Sequence, residues 1–113
     1  MAIPRPGSPV RGSRSGAPIM ALFDLLGRSW AMGIVWNLSG GALNFRELQE
    51  LCETVSPTTL NRRIKELREA QIIELTDDGY KLTASGRKLY ELMQPLSRWS
   101  RGWARRLKNT GDT

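Results

Sequence analysis

Apolar positions fall into short periodic runs separated by Gly, Pro and small polar residues, and each run predicts an element. From Pro18 onward, Met20, Leu22, Phe23, Leu25 and Leu26 predict a short apolar helix that stops at Gly27, a favoured residue just past a helix end. Ser29 is then the expected cap of a second helix, carried by Trp30, Ile34, Val35, Trp36 and Leu38 and ended by Gly40-Gly41. Two hydrophobic helices in succession carry more apolar surface than a small domain buries alone, so one is expected to be shared with a partner. Ala42-Leu43 reads as a brief extended link. Asn44 followed by Glu47 approaches a capping box and opens a helix with Phe45, Leu48 and Cys52 on one face and Leu51 beside them. Cys52 on that apolar side reads as a small core residue.

Thr54-Val55 forms a tight connection into Ser56–Glu69, the stretch around which the chain is organised. Ser56 is a good N-cap, and Pro57 stands at the first helical position, where a missing N–H costs nothing. Leu60, Ile64 and Leu67 recur at helical spacing and form one apolar stripe. At about 100° per residue, Thr58, Arg62 and Lys65 point away from the stripe, with Asn61 and Arg63 flanking it. Short hydroxyls followed by long cations suit a helix entering the major groove by its N-terminus. A solvated surface helix accounts for the same pattern, and Glu66 and Glu69, read as facing outward, favour that alternative.

Ile72–Thr76 and Tyr80–Thr83 are two short β-type runs joined by Asp77-Asp78-Gly79, which predicts a hairpin. A helix-turn-helix followed directly by a hairpin is a winged helix. The acidic tip should be repelled by phosphate, and Lys81 is the only cation in the hairpin, so little binding is expected from this wing. Thr83 can cap a last helix that continues through Gly86. There Leu89, Leu92, Leu96, Trp99 and Trp103 alternate spacings of three and four, a seam by which helices pack on one another. Pro95 should kink this helix or leave an N–H-free bend. The seam reads either as a docking face for a partner or as packing on the chain's own core. Residues 1–16, rich in Pro, Gly and Ser, are expected to be a disordered basic tail carrying Arg5, Arg11 and Arg14. The expected fold is therefore mostly α with a small β-hairpin. One winged-helix domain would span residues 17–109, including a dimerisation helix at about 84–108.

Composition narrows the function. Net charge is +6 over 113 residues, and the pI is near 10.2, which suits a polyanionic partner. With no histidine and one cysteine, a His/Cys zinc site, an intrachain disulfide and a histidine-based nucleophile are all excluded. No catalytic constellation, metal or cofactor is expected. No apolar run is long enough to span a membrane.

Leu25-Leu26-Gly27-Arg28-Ser29-Trp30, Phe45-Arg46-Glu47-Leu48 and Val55–Leu60 with Arg62, Arg63 and Leu67 come in an order and spacing that resemble the HxlR-type winged-helix transcriptional regulators. Leu82-Thr83, Gly86, Leu92, Pro95, Leu96 and Trp99 extend the resemblance. MarR- and PadR-type regulators are neighbouring families. The resemblance implies a homodimer on double-stranded DNA with a pseudo-palindromic operator, and the lone cysteine fits a reducing cytosol, so a cytoplasmic, nucleoid-associated protein is expected. It implies that Ser56, Pro57, Thr58, Thr59 and Arg62 lie nearest base edges, and Arg46, Arg63 and Lys65 nearer phosphates. Asn61 and Lys81 complete the candidate DNA-binding set. Phe23, Leu26, Trp30, Leu89, Leu92, Leu96, Trp99 and Trp103 are the candidate dimer interface, with Trp30 and Trp99 expected to meet in one core or interface. Many such regulators sense oxidants through an N-terminal cysteine, and no cysteine precedes Cys52 here. The expected function is a dimeric repressor. A winged helix that binds protein and has lost DNA readout is the alternative, and any small-molecule effector is left open.

Overall fold

The structure is a computed structural model that describes residues 3–111. Helix α1 (Pro18–Leu26) leads through a turn into α2 (Ala31–Asn37), which ends in a single 3₁₀ turn at Leu38–Gly40. Helices α3 (Phe45–Leu51) and α4 (Pro57–Glu69) form the helix-turn-helix. Strands β1 (Ile73–Thr76) and β2 (Gly79–Leu82) form the wing, and α5 (Ala84–Gly111) closes the chain.

Local chemistry explains most boundaries. In the capping box of α3, the Glu47 N–H donates to Asn44 Oδ1 at 2.8 Å and the Asn44 N–H donates to Glu47 Oε1 at 2.9 Å. At α4, the Thr59 N–H donates to Ser56 Oγ at 3.1 Å, and Pro57 opens the helix. At α5, the Gly86 N–H donates to Thr83 Oγ1, which in turn donates to the Gln71 carbonyl. The helix runs without a break through Pro95, whose missing N–H leaves one carbonyl of the preceding turn free of its helical bond.

The antiparallel strands pair Ile73 with Leu82 and Thr76 with Gly79, leaving Asp77-Asp78 as a two-residue tip. Thr76 Oγ1 accepts from the Asp78 N–H and donates to the Gly79 carbonyl, which closes the turn. The extended link at Leu43 exchanges both backbone hydrogen bonds with Tyr80, a one-residue third strand. Gly79 has a φ of 118°, and a Cβ there would lie 2.7 Å from the Leu43 carbonyl oxygen, so both backbone shape and space require glycine. A Cβ on Gly86 would fall 2.0 Å from the Ile72 oxygen, so only glycine lets α5 pass this close to the hairpin.

The core joins Ile34, Val35 and Leu38 to Leu48, Cys52 and Val55, to the α4 stripe Leu60, Ile64 and Leu67, and to Ile72, Ile73 and Leu82. Trp30 and Leu89 pack against this cluster. The exposed large apolar side chains include Ile19 and Phe23 of α1, Met32 and Trp36 of α2, and Leu92, Leu96, Trp99, Trp103 and Leu107 of α5. The distal half of α5 is solvent-facing along almost its whole length.

Four local expectations need correction. Ser29 does not cap α2: the N-cap is Trp30, in the left-handed region with φ 71°, and no side chain bonds there. Gly27 ends α1 with right-handed φ −76°, so the positive φ of the turn falls three residues later. Trp30 and Trp99 do not share a core within the chain, because Trp99 stacks on Trp103 at 5.9 Å while Trp30 faces the domain interior. The N-terminal segment is also more organised than its composition suggests. Val10 and Ser13 bond each other, Gly7 donates to the Gly16 carbonyl, and Arg5 pairs with Glu69 at 2.8 Å. Polar contacts to α1 and α4 hold a segment that has little apolar surface to bury; Met1 and Ala2 lie outside the described residues. Together with α1, α4 and α5, this segment borders an open pocket of about 390 Å³ lined by Leu22, Leu25, Ile72 and Leu89 among others.

Candidate nucleic-acid interface

Helix α4 is anchored by one face and open on the other. Leu60, Ile64 and Leu67 are all buried, while Thr58, Asn61, Arg62 and Lys65 are exposed. Among the described residues, none of these four side chains has a hydrogen-bond or ion-pair partner within the protein, so their donors face solvent. Ser56 and Pro57 are exposed at the helix start. Ser56 Oγ is engaged at the cap, accepting from the Thr59 N–H and donating to Thr59 Oγ1 at 3.0 Å. Thr59 is accordingly half-buried and oriented by the cap. Arg46, in the first turn of α3, and Lys81, on β2, are exposed and unpaired among the described residues. The acidic wing tip, Asp77-Asp78, is exposed as expected.

Two of the α4 assignments change. Glu66 does not face outward beside Glu69. It is 3% exposed, and its carboxylate takes a hydrogen bond from Arg28 at one oxygen and from Arg63 at the other, the latter at 3.0 Å. Arg63 is not a free cation for phosphate. Its Nε donates to the Ser29 carbonyl at 2.9 Å and its terminal nitrogens reach Glu66 and Ser29 Oγ, which engages the planar guanidinium fork inside the protein. The carboxylate thought to oppose DNA binding is therefore neutralised in the interior, and Glu69 is paired with Arg5. Sequence reasoning missed Arg28, because nothing in its local spacing shows that it meets a residue 38 positions away.

Of the candidate dimer residues, Phe23, Leu92, Leu96, Trp99 and Trp103 are exposed, Leu92 to 75%. Leu26 is half-buried, and Trp30 and Leu89 face the chain's own core. A groove of about 310 Å³ between α2 and α5 is lined by Met32, Trp36, Met93 and Leu96. Cys52 is buried in the core, with Asn37 Nδ2 3.9 Å from its sulfur. Burial raises its pKa above the ordinary 9.0, against a smaller lowering by the Asn37 hydrogen bond. No cluster of metal-ligating side chains occurs among the described residues, and no single helix there is long and apolar enough to cross a membrane.

The architecture matches solved regulators. Quinone-bound YodB from Bacillus subtilis superposes with a TM-score of 0.70 at 31% identity, covering 74% of this chain and 96% of that one. A possible HxlR family transcriptional factor from Thermoplasma volcanium gives 0.66 at 28% identity, covering 74% and 82%. A MarR family regulator from Enterococcus faecalis, at 17% identity, shares the fold with a TM-score of 0.72, covering 90% of this chain and 99% of that one. In sequence, the HTH-type transcriptional regulator YodB is 32% identical over 98 residues, 80% of this chain and 84% of its own. The family model described as HxlR-like helix-turn-helix matches residues 25–108. With that match spanning the helix-turn-helix, the wing and most of α5, the chain belongs to the HxlR-like family of winged-helix, DNA-binding transcriptional regulators.

Proposed function

We propose that the chain is a homodimeric, sequence-specific repressor that inserts one α4 from each subunit into the major groove of a pseudo-palindromic operator. The observation that carries this reading is the row Thr58, Asn61, Arg62 and Lys65, exposed along one side of a helix whose opposite side is locked into the core. Donors without a protein partner, on a rigidly held helix, are what base and phosphate contacts require. Arg46 and Lys81 flank the row as phosphate contacts, and Ser56, Pro57 and Thr59 bring the helix start close to the bases. Arg63 supports α4 from behind.

The dimer reading rests on the exposed apolar side chains of α1, α2 and α5. Phe23, Leu92, Leu96, Trp99 and Trp103 leave an apolar surface of the kind a monomer seldom exposes. YodB is solved with a quinone bound. A thiol sensor does not transfer to this chain, since its one cysteine is buried and held as the thiol. Selection on random DNA duplexes at physiological salt tests the reading. An inverted repeat with half-sites about one helical turn, roughly 34 Å, apart is expected. No enrichment over input would reject sequence-specific readout in favour of a protein-binding winged helix.

A further inference from the structure

A largely shielded polar cluster behind α4 connects three parts of the chain, namely the N-terminal segment, α1 with the turn that follows it, and α4. Asp24 in α1 lies 4.0 Å from Arg28 Nε and accepts from the Arg11 backbone N–H of the N-terminal segment at 3.1 Å. Arg28, in the turn after α1, reaches Glu66 of α4, which also binds Arg63. Arg63 returns to both the carbonyl and the hydroxyl of Ser29 in the same turn. The four charged side chains are largely shielded from solvent, Asp24 at 8%, Arg28 at 22%, Arg63 at 13% and Glu66 at 3% exposure. Trp30 follows in the left-handed region with its side chain against the core, which limits slack in the turn. Helix α1 carries the exposed Ile19 and Phe23, and α4 carries the exposed cations.

We propose that Arg28, Glu66 and Arg63 are positioning residues that lock the angle of α4 to α1, and so set which half-site spacing the dimer accepts. Charge-assisted hydrogen bonds fix direction as well as distance, and the guanidinium fork of Arg63 bridges turn and helix with little angular freedom. Leu25 of α1 shares the apolar core with the α4 stripe, and directional hydrogen bonds resist sliding more than such apolar packing does. Loosening it leaves the DNA-facing side chains of α4 unchanged but frees the helix to swing relative to the subunit interface. The proposal rests on the dimeric DNA-binding reading, and its test separates the two.

The full-length protein is measured on duplexes that carry the selected half-sites at the best spacing and at offsets of one and two base pairs. Wild type should discriminate sharply between spacings. Arg28→Met should lose about tenfold of that discrimination, as expected for groups coupled in one network, while still preferring the correct half-site sequence over a scrambled one. Arg28→Lys, which keeps the charge, should recover most of it. Equal loss of affinity at every spacing would overturn the proposal, because the network would then serve stability alone. Amide hydrogen exchange supplies a measurement without DNA. In Arg28→Met, the amides of Leu60–Leu67 should lose about tenfold in protection relative to those of Leu38 and Leu48; unchanged α4 protection overturns the coupling. Should Arg28→Met fail to fold, Arg63→Lys removes the fork to Ser29 with less disturbance and is read in the same two ways. Should wild type select no repeat, the dimeric reading falls, while the exchange measurement still decides whether the cluster locks α4 to α1.

Discussion

At the residue scale, the cations of α4 divide by whether each already has a partner within the protein. Arg62 and Arg63 are adjacent cations of equal chemical capacity, yet Arg62 is exposed and unpaired among the described residues, while Arg63 is bound to Ser29 and Glu66. Arg62→Ala is therefore expected to weaken specific binding by about 1–3 kcal/mol per half-site, with less effect on random duplex, as for a lost bidentate base contact. Equal losses on both duplexes in a fluorescence-anisotropy titration would reduce Arg62 to a phosphate contact. Cys52 gives a pH prediction. Its thiol is held above the ordinary 9.0, so the folded chain keeps the proton while the unfolded chain loses it as pH rises past that value. Its contribution to stability is full below pH 9.0 and is lost as pH rises through the folded-state pKa. The difference between wild type and Cys52→Ala in thermal melts should stay flat from pH 7 to 9 and shrink above it. A difference independent of pH to 10.5 would reject the shift.

At the element scale, the ends of helices and the approach of α5 to the hairpin carry the prediction. Asn44→Ala removes one arm of the α3 capping box and should cost about 1 kcal/mol in urea unfolding. Gly86→Ala should cost more, at the upper end of the roughly 1–3 kcal/mol of overpacking, because the Ile72 backbone oxygen sits where the methyl must go. An equal cost for the two would mean that α5 shifts freely against the hairpin. The capping residues Asn44, Ser56 and Thr83 were legible in advance, because a cap is a contact between residues two or three apart. The helix α2 start was not. Ser29 has a suitable hydroxyl, but Arg63, 34 residues away, takes both its carbonyl and its hydroxyl, and Trp30 becomes the N-cap.

At the scale of the whole molecule, the distal part of α5 stands out from the domain with an apolar face and a basic one. Trp99 stacks on Trp103 with Arg106 5.7 Å from the Trp99 ring, so these side chains are pre-arranged on the helix before any partner arrives. Trp99 is 57% exposed, and Trp99→Ala should lower dimer affinity in sedimentation velocity while leaving the monomer's melting almost unchanged. A dimer of unaltered strength would remove Trp99 from the interface. Binding to the selected operator should fall linearly in log affinity with log salt, by the slope counterion release dictates for the phosphates contacted. A flat profile would exclude cations as the main source of affinity.

Residue order alone determined the helical and strand periods, the caps of α3, α4 and α5, the hairpin, the apolar stripe of α4 and the family pattern. All of these rest on interactions within a few residues or on spacing along one element. It also showed which side of α4 is exposed, because the stripe at Leu60, Ile64 and Leu67 leaves only one side for Thr58, Arg62 and Lys65. Tertiary structure alone decided the fate of Glu66, Arg63 and Arg28, and whether Leu89 and Leu92, neighbours in one seam, face the core or the solvent. Helical periodicity gives an angle around an axis. It does not tell where the next element lies, and for a charged side chain near the edge of a buried stripe that position separates an internal ion pair from a free cation.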